Sequence, residues 1–369
     1  MAGCCCISSL ICIALLAVAG ICTWRFGPWY SSNNSNSQPS GTTSGQDLTA
    51  LEGTTCPTCC NGLESNCNLP VNEVMFSMVH NAHSSARDGF FAPNNNQPLE
   101  AALVAGYRGL MLDSCMCDTS TLTQAGLEFA AEVLGISGGE NGGSGETEKV
   151  YEVGFCHTYC NAGIRSPEKV FANIHRFLES NPNEVIIIDF EINDNSLPRL
   201  YTEIDSSPLV PHIYNPTTYP TINSTWPTLQ QLIDSNTRLL LFAHGDGMQS
   251  CLSTNGDNCP EGIFYTYDFW AQTPIEDSTS CLSTNEEYKN TYSFFLMNHW
   301  KNTDLDLPSK LNAELLNGKE YLEERFGQCA EVGGRRPNII AVDFWDLGSV
   351  LEFVKKENER RGGGDVSAA

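Results

Sequence analysis

The chain has 369 residues, of which 41% are hydrophobic and 17% charged, and its 20 Lys plus Arg against 44 Asp plus Glu give a formal net charge of −24. That is enough apolar material for a large core, while the acidity excludes both the basic face that nucleic-acid phosphates require and a polybasic grip on anionic lipid. A phosphate-bearing substrate would need a local remedy, either a bound cation or a few buried donors.

Residues 4 to 24 carry no charge, and Leu10 to Ile21 form an apolar heart. Residues 1–27 read as a signal peptide, with Ala17-Val18-Ala19 as the small-x-small cleavage pattern, or as a retained signal-anchor, favoured by Arg25 after the run and the lack of a basic residue before it. Gly is third, not second, which argues against myristoylation. Residues 28–55, rich in Ser and Asn, read as a flexible stalk. Five of the 17 Cys (Cys4, Cys5, Cys6, Cys12 and Cys22) fall in the leader, which leaves twelve. An even number in a chain entering the secretory route reads as disulfides, with the pairing open. Cys56-Pro-Thr-Cys59 could open a zinc ribbon, but no second Cys-x-x-Cys answers it. Asn33 and Asn223 stand in glycosylation sequons.

Residues 56–358 alternate apolar runs with amphipathic stretches. Strands are predicted at Met75–Asn81, Gly109–Cys115, Tyr151–His157, Val185–Ile192, Arg238–His244, Ile263–Phe269, Ser293–Trp300 and Ile339–Asp346. Ser166-Pro167 opens a helix whose stripe is Val170, Phe171, Ile174, Phe177 and Leu178. Eight such repeats argue for one α/β domain, a TIM-type (β/α)8 barrel. Residues 135–149 read as a floppy insertion, 245–260 and 276–290 as disulfide-tied loops carrying Cys251, Cys259 and Cys281, and 359–369 as a disordered tail.

Barrel active sites sit at the carboxyl ends of the strands. Nearly every predicted strand here ends in polar residues: His80-Asn81, Asp113, His157, Asp189 and Glu191, His244, Asn298-His299, and Asp343 with Asp346. Asp189 and Glu191 share a strand face, being two apart. A zinc hydrolase barrel would want His-x-His on its first strand, and the offset of three between His80 and His83 breaks that alignment. Paired imidazoles acting as base and acid, helped by a carboxylate-bound cation, point instead to phosphodiester chemistry.

Met78-Val-His80-Asn81-Ala-His-Ser84 resembles the first catalytic motif of phosphatidylinositol-specific phospholipase C X domains. Gly106-Tyr-Arg108-Gly-Leu-Met-Leu-Asp113 is similar to the second, Gly154-Phe-Cys-His157 to the third, and Val185 to Glu191 to the fourth-strand motif. Phe295 to Trp300 and Pro337 to Phe344 resemble the closing strands of the secreted, Cys-rich members. The resemblance covers residues 56 to 358 and implies a phosphoric diester hydrolase. It implies that His80 contacts the scissile phosphate or acts as base, that His157 protonates the leaving alkoxide, and that Asn81, Asp113 and Glu191 bind calcium. The metal-dependent members carry Glu-x-Asp on the second strand; Met111 stands at the first of these positions, so another divalent cation is an alternative.

Asp343 is placed to orient His80; Arg108 is expected to be structural or a phosphate contact, His299 to line the pocket and meet substrate or to make a barrel-top hydrogen bond, and Trp345 is a further candidate substrate contact. His83 is read as a loop residue near the mouth, His175 as a surface residue and His212 as uninformative. His244 either lines the pocket or makes a barrel-top hydrogen bond. Cleavage of a phosphoinositide or related lipid head group is the first functional reading. A glycerophosphodiesterase and a catalytically weak cell-surface lipid-binding protein are the others. The expected partners are a phospholipid substrate and a membrane surface, with no nucleic acid, and the expected state is a secreted or membrane-anchored monomer.

Overall fold

A computed structural model describes residues 56–118, 151–157, 159–221, 223–254, 260–275, 280–281 and 292–363. The leader, the stalk, the Gly-rich insertion and the last six residues lie outside them.

Nine strands occur in the described residues: β1 (Phe76–Val79), β2 (Gly109–Asp118), β3 (Tyr151–Phe155), β4 (Ile186–Ile192), β5 (Leu239–Gly245), β6 (Ile263–Tyr265), β7 (Trp270–Gln272), β8 (Phe294–Asn298) and β9 (Ile339–Val342). Eight form a parallel sheet in the order β6-β5-β4-β2-β1-β9-β8-β7. Helices α1 (Leu99–Ala105), α2 (Pro167–Ser180), α3 (Leu197–Asp205), α4 (Leu229–Asp234), α5 (Thr266–Phe269), α6 (Lys310–Leu316), α7 (Lys319–Gly333) and α8 (Val350–Gly362) accompany it. The sheet curls into a single-domain barrel of TIM type, open at the seam between β6 and β7.

Period-two alternation builds two cores. Phe76, Met78, Met111, Ile187, Leu240, Phe242, Leu296, Ile339 and Ala341 fill one buried cluster inside the sheet. Their neighbours Val79, Leu110, Leu112, Ile186, Ile188, Leu241, Ile340 and Val342 pack in another with helix residues. The α2 stripe predicted from sequence is buried in that second cluster.

Three expectations are corrected. The segment 151–157 is not a parallel stave: β3 runs antiparallel to the far end of β2, with Ser114 opposite Phe155 and Asp118 opposite Tyr151. An alternating pattern marks a strand but not its direction. Disulfides Cys115–Cys156 and Cys117–Cys160 tie this ribbon. The missing stave comes from 263–272, which divides into β6, the turn α5 and β7. The break buries polar groups: Thr266 donates to Asp189 at 2.6 Å, and Asp268 accepts from Ser250, Tyr219 and the amides of Cys251 and Leu252. Residues 359–362, expected in the tail, are helical instead, since α8 runs to Gly362 and Arg361 donates to the carbonyls of Glu73 and Pro337.

All eleven Cys among the described residues are disulfide-bonded. Cys56–Cys59 and Cys60–Cys67 close the Cys-rich segment, so it is no zinc ribbon, and Cys281–Cys329 ties a loop to α7.

Candidate active site

The alternation that fills the barrel with apolar residues also decides what crowns it. Met78 is followed two positions on by His80, Met111 by Asp113, Asp189 by Glu191, Phe242 by His244 and Ala341 by Asp343. Each pair lies on one strand face, so polar residues collect at the carboxyl end of the sheet. There a cavity of about 640 Å³ is lined by His80, Asn81, Asp113, His157, Glu191 and the loop Trp300–Asp306, among others.

His80 is held on both sides. Its Nδ1 donates to Asp343 Oδ1 at 2.8 Å, and its ring stacks on Trp300 at 3.7 Å with an interplanar angle of 12°. The carboxylate is itself oriented, since Asn94 Nδ2 donates to the same oxygen at 3.2 Å. With Nδ1 committed as donor, the other ring nitrogen, Nε2, is left for substrate. The backbone on either side is forced: Asn81 has φ 44° and Phe344 has φ 46°. Asn tolerates the left-handed region, whereas an aromatic residue there is an outlier of the kind that marks over-determined sites.

His157 stands immediately after the Cys115–Cys156 disulfide. Burial, and then the nearby His80 ring, push its pKa down to about 4. Its Nε2 donates to the Asn81 side-chain oxygen at 3.3 Å, while the Asn81 side-chain nitrogen donates to the Asp113 oxygens at 2.9 and 3.0 Å, an orientation assigned from the hydrogen-bond network.

Asp113 is buried, and its pKa lies well above the carboxylate range because burial and then the charge of Glu191 oppose ionisation. His244 partly offsets this. Burial lowers the His244 pKa, but Asp189, Glu191 and Asp113 outweigh it and lift the ring to about 9. The donor set fits a hard cation: turning the Asn81 amide over would bring its oxygen to the Asp113 carboxylate, and with Glu191 on the same cavity this makes an all-oxygen set with excess negative charge. Met111, beside Asp189 in register, contributes no oxygen and packs in the barrel core.

The other sequence candidates lie elsewhere. Arg108 is at the opposite end of β2, where Nε donates to Glu184 at 2.6 Å and Nη1 donates to the carbonyls of Leu103 and Tyr107, the structural role of its two expected readings rather than the phosphate contact. His299 is fully buried, accepts from Arg325 on Nδ1 at 2.7 Å and donates from Nε2 to the Leu316 carbonyl at 2.9 Å. Trp345 faces Tyr107 and donates to the Gln97 carbonyl, away from the cavity. His83 is buried against Phe90 and Phe155 rather than at the mouth. His244 is a barrel-top hydrogen-bonder, 3.4 Å from Asp189. Sequence reasoning overlooked Trp300 and Lys301 as cavity walls. Trp300 lies two residues beyond the end of β8, and its place past a strand end was the available signal.

A sequence profile described as PI-PLC X 1 matches residues 144–358, more than half of the chain. The chain belongs to the PI-PLC X domain family. A PI-PLC X domain-containing protein of Arabidopsis thaliana is 24% identical over 318 residues, 79% of this chain and 63% of that protein. An uncharacterized secreted protein of Arthroderma benhamiae is 25% identical over 218 residues, 53% of this chain and 47% of that one. The chain thus spans less than two thirds of both relatives. Among solved structures, phosphatidylinositol-specific phospholipase C from Listeria monocytogenes superposes with a TM-score of 0.48 at 15% identity, covering 82% of this chain and 96% of that one.

Proposed function

We propose that this PI-PLC X domain is a phosphoric diester hydrolase that cleaves a phosphoinositide or related lipid head group in the manner of a phospholipase C. The observation that carries the proposal is the Asp343-oriented His80 lining one cavity with His157, Asn81, Asp113 and Glu191. A hydroxyl of the head group next to the phosphate attacks phosphorus and its proton passes to His80 Nε2. The bond from phosphorus to the glycerol oxygen breaks, and that oxygen takes a proton from His157. The products are a cyclic phosphate and diacylglycerol. His157 is neutral at rest, and the anionic phosphodiester beside it raises its proton affinity, so it is charged only with substrate in place. Asn81, Asp113 and Glu191 would hold calcium, which neutralises phosphoryl charge and lowers the pKa of the attacking hydroxyl. Such an ion also answers the repulsion of phosphate by a chain of net charge −24.

The disulfides support an oxidising compartment for the domain, either secreted or tethered by residues 1–27. Among the described residues, no helix is long and apolar enough to cross a membrane.

The test is diacylglycerol release from phosphatidylinositol vesicles by the purified protein with calcium. Release that is lost in His80→Ala and His157→Ala is expected, each loss about 10²-fold or more. No release with calcium present would overturn the proposal. Met111 favours one other reading, a lipid-binding protein with weakened catalysis. Calorimetry separates the two: catalysis predicts calcium binding that disappears in Asp113→Asn, and the binding-protein reading predicts no heat at millimolar calcium.

A further inference from the structure

Two histidines without a role in this chemistry meet at the other end of the barrel. His175 and Glu179 are one turn apart on α2, and so share a face. His212 ends the 3-10 turn Val210–His212. One ligand atom from each of the three lies within 4.8 Å of the others. The cluster sits at the amino ends of the strands: α2 leads directly into β4, and Ile213 bridges to Leu239, the first residue of β5. The candidate active site is at the carboxyl ends.

We propose that His175, Glu179 and His212 form a zinc-binding site that fastens α2 to the β4–β5 connection. Two imidazoles and a carboxylate are ligand types suited to zinc, and a fourth position is left for water. Nitrogen ligands of this kind do not suit calcium or magnesium.

The ligands are already partly arranged. His212 Nε2 is 3.2 Å from Glu179 Oε1, close to the separation of about 3.3 Å between ligands on a tetrahedral ion with bonds near 2.0 Å. The His175 ring centroid lies 5.4 Å from that of His212, and with the ligand atoms within 4.8 Å of one another, drawing them to about 3.3 Å needs a movement of about 1.5 Å or less. A support behind the ligand is also in place. His212 Nδ1 donates to Asn236 Oδ1 at 3.2 Å, and Arg238 Nε donates to the same oxygen at 3.0 Å, which fixes the amide as an acceptor. That bond turns Nε2 toward Glu179, as partners behind metal-bound histidines do. A neutral His212 ring would then set two lone pairs against each other, and a cation between them removes the repulsion. His175 Nδ1 is buried and has no hydrogen-bond partner. His212 is buried, whereas the Glu179 side chain is 58% exposed, so an ion can enter from solvent.

The test is calorimetric titration of the purified protein with zinc alone, accompanied by thermal melts. One zinc equivalent should bind, raise Tm and go unmatched by calcium at this place. It should be lost in His175→Ala and weakened at least tenfold in Glu179→Gln, an exposed and nearly isosteric change that leaves the fold intact. It should persist in Glu191→Gln, which separates it from the acidic cavity and from the proposed hydrolase function. Zinc binding unchanged in both His175→Ala and Glu179→Gln would overturn the proposal, as would a wild-type protein that takes up no zinc.

Discussion

Asp343 does not line the cavity, yet it decides what His80 can do there. It selects the ring's tautomer and fixes its plane against Trp300. Asp343→Asn keeps the shape but offers an amide able to stabilise the wrong tautomer, so kcat should fall about 10²-fold or more with KM little changed, measured on phosphatidylinositol vesicles. Trp300→Ala should lower kcat with the tautomer intact, because the ring loses only its stacking wall. Arg108→Ala belongs to a different class. It leaves Glu184 buried and unpaired, so it should lower Tm sharply, by about 3 kcal/mol or more in stability, without a specific effect on the catalytic pH profile.

At the scale of elements, β3 joins the sheet only through the far end of β2. It stands off the main sheet path and is pinned by two disulfides, one of which is adjacent to His157. Cys115→Ser with Cys156→Ser should cost about 2–4 kcal/mol and reduce turnover more than the stability loss explains, because His157 loses its anchor. Denaturant melts and steady-state kinetics on the same sample check both parts. Gly245 shows a similar economy at the end of β5. It has φ +96°, and a Cβ there would lie 2.4 Å from the Ile192 carbonyl oxygen, so only glycine lets β5 close on β4 right after His244.

For the whole molecule, the buried histidines set the response to pH. Folded-state pKa values of about 4 for His157 and about 3 for His299 lie below the ~6.5 of a free imidazole. The unfolded chain therefore binds more protons below pH 6.5, and stability falls as pH drops through that window. His244 works in the opposite direction. Raised to about 9, its contribution is complete below about 6.5 and disappears as pH rises toward 9. The raised carboxyl of Asp113 adds a loss of the same sign, which sets in as pH rises above the ordinary carboxylate range. The metal-free protein should melt highest near pH 6.5, and calcium should flatten the alkaline side; thermal scans from pH 4 to 9 with and without the ion measure this.

Strand alternation, the Ser166-Pro167 helix start and polar strand ends were legible in the chain itself, because they depend on local periodicity. So were His80, Asn81, Asp113, His157, Glu191 and Asp343 as a set, because each ends or follows an apolar run in a motif of recognisable order. Tertiary structure alone decided the antiparallel course of β3, the division of β6 from β7 and the cavity wall at Trp300. It also removed Arg108, His299 and Trp345 from the cavity, and brought His175 and Glu179 to His212. The physical reason is the same in each case: a residue's type and spacing define the face it occupies, but whether a charged or aromatic group meets solvent, a partner or the core depends on segments far away in sequence.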